Sequence, residues 1–151
     1  MSILRPLFVY GTLRDPELLA AVLGRPLRPG AMPPASAPGF RAVLYPGRVY
    51  PALVRTPGAA APGLLLTDLT PFERDVLDAY EGDEYRRDVI PVITDSELHE
   101  VEAYFPVIKV PPDAAAWTLT AWQADHKPKI LAADAAGAAD LRARLMAIRP
   151  H

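Results

Sequence analysis

Two short stretches hold residues that can do chemistry together. Tyr10-Gly11-Thr12-Leu13-Arg14 follows the apolar run Leu7-Phe8-Val9, which reads as a buried strand. Asp15-Pro16-Glu17 then opens a helix, with Asp15 placed to cap it and Pro16 suited to its first position. A strand, a glycine turn and a helix start leave backbone N–H groups without acceptors, and such groups attract a carboxylate or an oxyanion. Glu81 is the second feature, at the end of the helix that begins at Thr70. The negative end of the helix dipole and burial against Tyr80 raise its pKa, while Asp83 and Glu84 read either as solvated loop charges, the better reading, or as like charges that add to the rise. A carboxyl tuned in this way takes and returns a proton near neutral pH.

The elements that must hold these groups alternate short strands with stiff turns. A helix over Pro16–Leu23 carries Leu18, Leu19, Val22 and Leu23 on one face and stops at Gly24. Residues 25–38 contain six Pro or Gly residues and read as a loop, with a short strand near Ala31-Met32. Strands follow over residues 40–45, 52–54 and 63–66. They are separated by Pro46-Gly47, by Thr56-Pro57-Gly58 and by a small alanine loop at 59–61. Thr70 and Glu73 form a capping box with Pro71 between them, and Phe72, Val76, Leu77 and Tyr80 recur at helical spacing up to Gly82. Residues 85–94 and 101–107 read as a hairpin across Asp95-Ser96, with Val101, Ala103, Phe105 and Val107 on one side. Residues 117–122 read as a last strand or a packing segment. Residues 132–148 are helical, with Leu141, Leu145 and Ile148 on one face. Gly137 weakens that helix by roughly 1 kcal/mol, enough to divide it in two.

Composition narrows the function classes. A length of 151 residues suits one domain spanning 1–151, and half of the residues are hydrophobic. The net charge of -2 argues against a nucleic-acid partner or a polybasic membrane contact. With no cysteine, thiol nucleophiles, disulfides and zinc-thiolate sites are excluded. Met1 to Pro6 include a charge and a proline where a signal peptide needs an apolar core, and no apolar run spans a bilayer, so the expected location is cytoplasmic. His99 and His126 lack a second histidine at metal-ligand spacing and read as surface residues, so no metal is expected. Ser36 and Ser96 have no histidine partner in sequence. Arg14 and Arg87 suit either a substrate carboxylate or a surface ion pair, and Trp117 and Trp122 suit a pocket wall or, the better reading, core packing.

Taken together, Tyr10-Gly11-Thr12-Leu13 and the segment Leu77-Asp78-Ala79-Tyr80-Glu81-Gly82-Asp83-Glu84-Tyr85-Arg86-Arg87 resemble the gamma-glutamylcyclotransferase-like family. Pro38-Gly39-Phe40, Tyr50-Pro51-Ala52-Leu53-Val54 and Pro62-Gly63-Leu64 are similar to its intervening strands. The likeness runs in order over residues 7–105 and fades over 106–151. It implies an α+β fold, a small mixed β-barrel with peripheral helices. It also implies an enzyme, with no metal or organic cofactor, that converts a small γ-glutamyl amide or amine to 5-oxoproline and a free amine. By motif match, Tyr10, Gly11, Thr12 and Leu13 bind the glutamyl group, Glu81 is the general acid/base and Tyr85 belongs to the pocket. A non-catalytic module on the same barrel, binding a carboxylate ligand, is the alternative. Neither the leaving amine nor the oligomeric state is legible.

Overall fold

The computed structural model describes residues 5–148. The reading of residues 1–4 lies outside that range. The chain folds into a closed mixed β-barrel with a layer of helices packed on one side. Its strands are β1 (Leu7–Val9), β2 (Pro34–Leu44), β3 (Pro51–Leu66), β4 (Tyr85–Thr94) and β5 (Glu97–Pro106). They join in the order β1-β3-β2-β4-β5. β1 pairs parallel with β5, and every other pairing is antiparallel. The helices are α1 (Pro16–Leu23), α2 (Pro71–Glu81), α3 (Leu119–Asp125) and α4 (Lys127–Ile148). Among the described residues, no helix is long and apolar enough to cross a membrane.

The period-two alternation of β1 sets up two cores. Phe8 points into the barrel with Leu53, Leu65, Ile90, Val92 and Val101, while Leu7 and Val9 point outward against Leu18, Val22 and Leu77 of the helices. Alanines 35, 37, 61 and 103 also fill the barrel interior. Small side chains there let the strands close tightly, and this explains where the strand expectations fell short. Residues 34–38 extend β2 instead of forming loop, and the alanine stretch belongs to β3, where Ala61 pairs with Ala37. Ala31-Met32 lie in a turn, not a strand. Propensity ranks alanine, proline and glycine as poor strand formers, but cross-strand packing overrides it here. The Thr56-Pro57-Gly58 signal survives as a bulge. The register passes from Pro38↔Ala60 to Phe40↔Arg55, with Gly39 and Gly58 at φ +82 and +86.

Helix ends follow the sequence closely. Asp15 caps α1 through Leu18 N, and Gly24 ends it in the left-handed conformation at φ 75. The capping box of α2 forms with Thr70 N to Glu73 Oε1 at 3.0 Å and Glu73 N to Thr70 Oγ1 at 3.1 Å. Thr70→Ala is expected to cost about 1 kcal/mol in urea unfolding. Arg74 holds α2 to the barrel, donating to Glu102 Oε1 and to the Arg5 carbonyl, each at 2.5 Å.

The C-terminal part departs further from expectation. The last helix is one piece starting at Lys127, undivided at Gly137. Tertiary contacts outweigh the glycine: Ala138 is buried, and Arg142 Nη1 donates to the Ala21 and Val22 carbonyls at the end of α1. Ile148 is 76% exposed, and Val107 lies beyond β5 and is exposed. Residues 119–125 are helical, with the Thr118 hydroxyl capping the helix at Ala121 N and Trp122 packed in the core.

Candidate active site

β1, the turn after it and the end of α2 meet at one cavity of about 250 Å³. Tyr10, Gly11, Thr12 and Leu13 line one side of it, and Glu81 and Tyr85 also face it. All six residues singled out in the sequence therefore surround a common space.

The turn is held from below. Arg14 N and Asp15 N bond back to the Gly11 and Thr12 carbonyls at 3.0 Å, closing a single 3-10 turn over Thr12–Arg14. The N–H groups of Gly11, Thr12 and Leu13 have no acceptor among the described residues, as the first turn of a helix requires. Pro51 packs on Gly11 so closely that a Cβ there would meet its Cγ at 2.8 Å. Asp15 is fully buried behind the turn and accepts from Gln123 Nε2 and Lys127 Nζ, both at 2.9 Å. Burial alone would raise its pKa. The bonds from Lys127, Leu18 N and Gln123 outweigh that and hold it below the usual carboxylate range.

Glu81 is the last residue of α2. Gly82 follows with φ 67 and ψ -154, a backbone region open essentially to glycine alone, and this turns the chain sharply into β4. The side chain is partly buried, and no donor among the described residues reaches its carboxylate. Burial pushes its pKa up to about 8, with like charge from Asp78 and Glu84 acting in the same direction. Asp78, one helical turn earlier, and Glu84 supply that like charge, whereas Asp83 is exposed, in line with its reading as a solvated loop charge.

The tyrosines around Glu81 are fixed by their hydroxyls. Tyr10 donates to the Tyr104 carbonyl and Tyr85 to the Pro51 carbonyl, each at 2.5 Å, and Tyr104 donates to Asp78 Oδ1 at 2.7 Å. Burial raises the pKa of all three, with Glu81 contributing to each. They stay protonated, and their hydrogens are committed to protein acceptors. Glu81 is thus the cavity carboxyl whose pKa is lifted towards neutral pH.

Further residues complete the lining. Tyr50 and Glu84 face the cavity, joined by a hydrogen bond from the Tyr50 hydroxyl to Glu84, and burial pushes the Tyr50 pKa up to about 12. Trp122 is core, as expected, but also walls the cavity, and its buried indole N–H has no partner among the described residues. Ile130 and Asp134 reach in from α4. Tyr50 stands inside the Tyr50-Pro51-Ala52 stretch and could have been found there. The α4 residues could not, since nothing local links position 134 to position 81. Arg87 is an ion-pair residue, bound to Asp78 at 2.8 and 2.9 Å, and neither it nor Arg14 lines the cavity. His99 and His126 do not line it either.

A closed five-stranded mixed barrel, carrying a glycine turn and a helix-terminal glutamate on one cavity, defines a small α+β class. Within it, the chain belongs to the gamma-glutamyl cyclotransferase, AIG2-like family, whose match covers residues 7–124. AIG2-like protein A of Arabidopsis thaliana is 32% identical over 131 residues, covering 85% of this chain and 78% of that protein. AIG2-like protein C of the same plant is 34% identical over 131 residues, covering 84% and 74%. A solution structure of an Arabidopsis thaliana protein superposes with a TM-score of 0.65 at 31% identity, covering 85% of this chain and 87% of that one. A solved structure named gamma-glutamyl cyclotransferase shares the fold, with a TM-score of 0.55 at 16% identity over 97% and 89% of the two chains.

Proposed function

We propose that this protein is a γ-glutamyl cyclotransferase in which Glu81 is the general acid/base. The observation that supports the reading is the shared cavity, which the Gly11–Leu13 turn, with its N–H groups unbonded among the described residues, and Glu81 both line. The turn binds the substrate's α-carboxylate through those N–H groups, and Tyr10 and Tyr85 shape the walls that hold the glutamyl chain. Glu81 removes a proton from the α-ammonium. The freed nitrogen attacks the side-chain amide carbonyl and closes a five-membered ring. The tetrahedral intermediate then expels the amine, which takes the proton held by Glu81; the ring nitrogen gives up its second proton to the departing amine, which leaves as an ammonium, and 5-oxoproline remains. Ring closure is intramolecular, so holding the chain in a bent pose supplies much of the acceleration, on the order of 7 kcal/mol in favourable cases.

Incubation of the purified protein with γ-glutamyl amines and γ-glutamyl dipeptides tests the reading, with 5-oxoproline as the readout. Binding of such compounds, seen as thermal stabilisation without product, would favour a non-catalytic module instead. The pH profile is a second test. Glu81 must be ionised to accept the proton, so kcat/KM should rise about tenfold per pH unit up to a bend near 8, set by its raised pKa. A bend between pH 4 and 5, at the ordinary range of an exposed glutamate, would refute the assignment.

A further inference from the structure

The turn that lines the cavity is anchored on one buried residue, Asp15, where four parts of the chain meet. Its backbone N–H closes the turn on the Thr12 carbonyl at 3.0 Å, and its Oδ1 accepts Leu18 N at 2.8 Å to cap α1. Its Oδ2 takes two further donors at 2.9 Å, Gln123 Nε2 from α3 and Lys127 Nζ from the start of α4. Those two helices also wall the cavity, α3 through Trp122 and α4 through Ile130 and Asp134. The junction therefore ties the turn to other walls of the same space. Lys127 supplies its positive charge and also pairs with the exposed Glu17 at 2.9 Å. It lies beyond residues 7–124, the span of the family match.

Without Lys127, Asp15 would be a buried carboxylate held by neutral donors alone. A buried charge without a counter-charge is costly, so the carboxyl would have to gain a proton or move towards water. Its partners are all donors, and a protonated carboxyl would find no acceptor among them. Movement is the remaining course, and it would pull on the backbone that closes the turn. Three N–H groups that must converge on one carboxylate tolerate little displacement. Resting on the cyclotransferase reading, in which the turn holds the substrate's α-carboxylate, we propose that Lys127 is a positioning residue. Acting through Asp15 and together with Gln123, it keeps the Gly11–Leu13 turn in its carboxylate-binding shape. The α-carboxylate takes no part in bond making and is held alike in substrate, transition state and product. Loosening the turn therefore raises KM and spares kcat.

The test makes two measurements on the full chain: kcat and KM for the γ-glutamyl amine it converts fastest, and the Kd of 5-oxoproline by calorimetry. 5-Oxoproline carries the same carboxylate, so its binding reports on the turn without turnover. Lys127→Met keeps the aliphatic stem and loses the charge. It should raise KM and the 5-oxoproline Kd about tenfold and leave kcat within about twofold. Lys127→Arg should restore both. The rise should persist at high salt, which screens a distant surface charge but little of a contact on a buried carboxylate. Gln123→Leu should raise both constants by a smaller factor, since it removes a neutral donor. Glu17→Gln changes only the exposed partner of Lys127 and should alter neither. A merely structural role would leave fewer intact molecules, so apparent kcat would fall at unchanged KM. That result, or native constants in a folded Lys127→Met, overturns the inference and leaves the cyclotransferase reading standing. If Lys127→Met proves unfolded in a melting scan, native constants in Gln123→Leu overturn it equally. Weaker 5-oxoproline binding in Lys127→Met, with no product from the native protein, upholds the role of Lys127 and overturns the cyclotransferase reading. Neither binding nor product in the native protein overturns both.

Discussion

Glutamine at position 81 should lower 5-oxoproline formation by about 10²–10⁴-fold while making the protein more stable at alkaline pH. The two effects share one cause. In the fold, burial and the charges of Asp78 and Glu84 hold the Glu81 pKa near 8, against 4.5 for an ordinary glutamate. Below pH 4.5 the carboxyl is neutral in both folded and unfolded chains and contributes no difference. As pH rises, the unfolded chain releases the proton first, and the native state keeps it until about 8. Stability from this group is therefore present at low pH and is lost as pH climbs through that window. Contact with cavity water reduces the loss to on the order of 3 kcal/mol. Glutamine has the same shape and no charge, so it escapes the loss. Melting curves of Glu81→Gln and the native protein should coincide near pH 4 and separate progressively towards pH 9, the variant melting higher. Parallel curves across this range would mean that Glu81 is not desolvated. Unchanged turnover in the variant would remove it from the mechanism.

The second large effect is expected at Gly63. A Cβ there would lie 2.3 Å from the Val9 carbonyl oxygen and 2.6 Å from the Phe8 ring. Neither neighbour can yield cheaply. Val9 O belongs to the backbone of β1, and Phe8 fills the barrel interior. Gly63→Ala should cost about 3 kcal/mol by denaturant unfolding, at the upper end for overpacking. It should also disturb function, because pushing β1 away moves the Tyr10 turn that follows it. The measurement is the unfolding midpoint together with KM for a γ-glutamyl substrate, and both should worsen. An unfolding free energy within about 0.5 kcal/mol of the native value would show that β1 and β3 can separate freely at this point.

Much of the site was legible because its parts are local. Tyr10-Gly11-Thr12-Leu13 is a strand end, a turn and a helix start within a few residues, and each step has a residue type that demands it. The helix ending at Glu81 is announced by Thr70, Pro71 and Glu73 and closed by Gly82, so the position of the acid at a helix terminus follows from counting turns. The reach of β2 and β3 was not legible. Ala35, Ala37 and Ala61 look like loop residues until the curvature of a closed barrel makes small side chains the ones that fit. The role of α4 was hidden for a related reason. An alanine-rich helix shows no strong apolar face, and its position is set by Ala138 and by Arg142 gripping the end of α1.

The amino-acid sequence by itself determined the short-range features: which residues turn, cap and end each element, and which carboxyl stands at a helix end. These depend on backbone sterics and neighbouring hydrogen bonds, which act over a few residues. Only the tertiary structure decided that the early turn and Glu81 share a cavity, that Asp78 and not Asp83 presses on the acid, and that Asp134 faces the same space. Burial and Coulomb interactions act through space between residues far apart in the chain, and no local pattern records them.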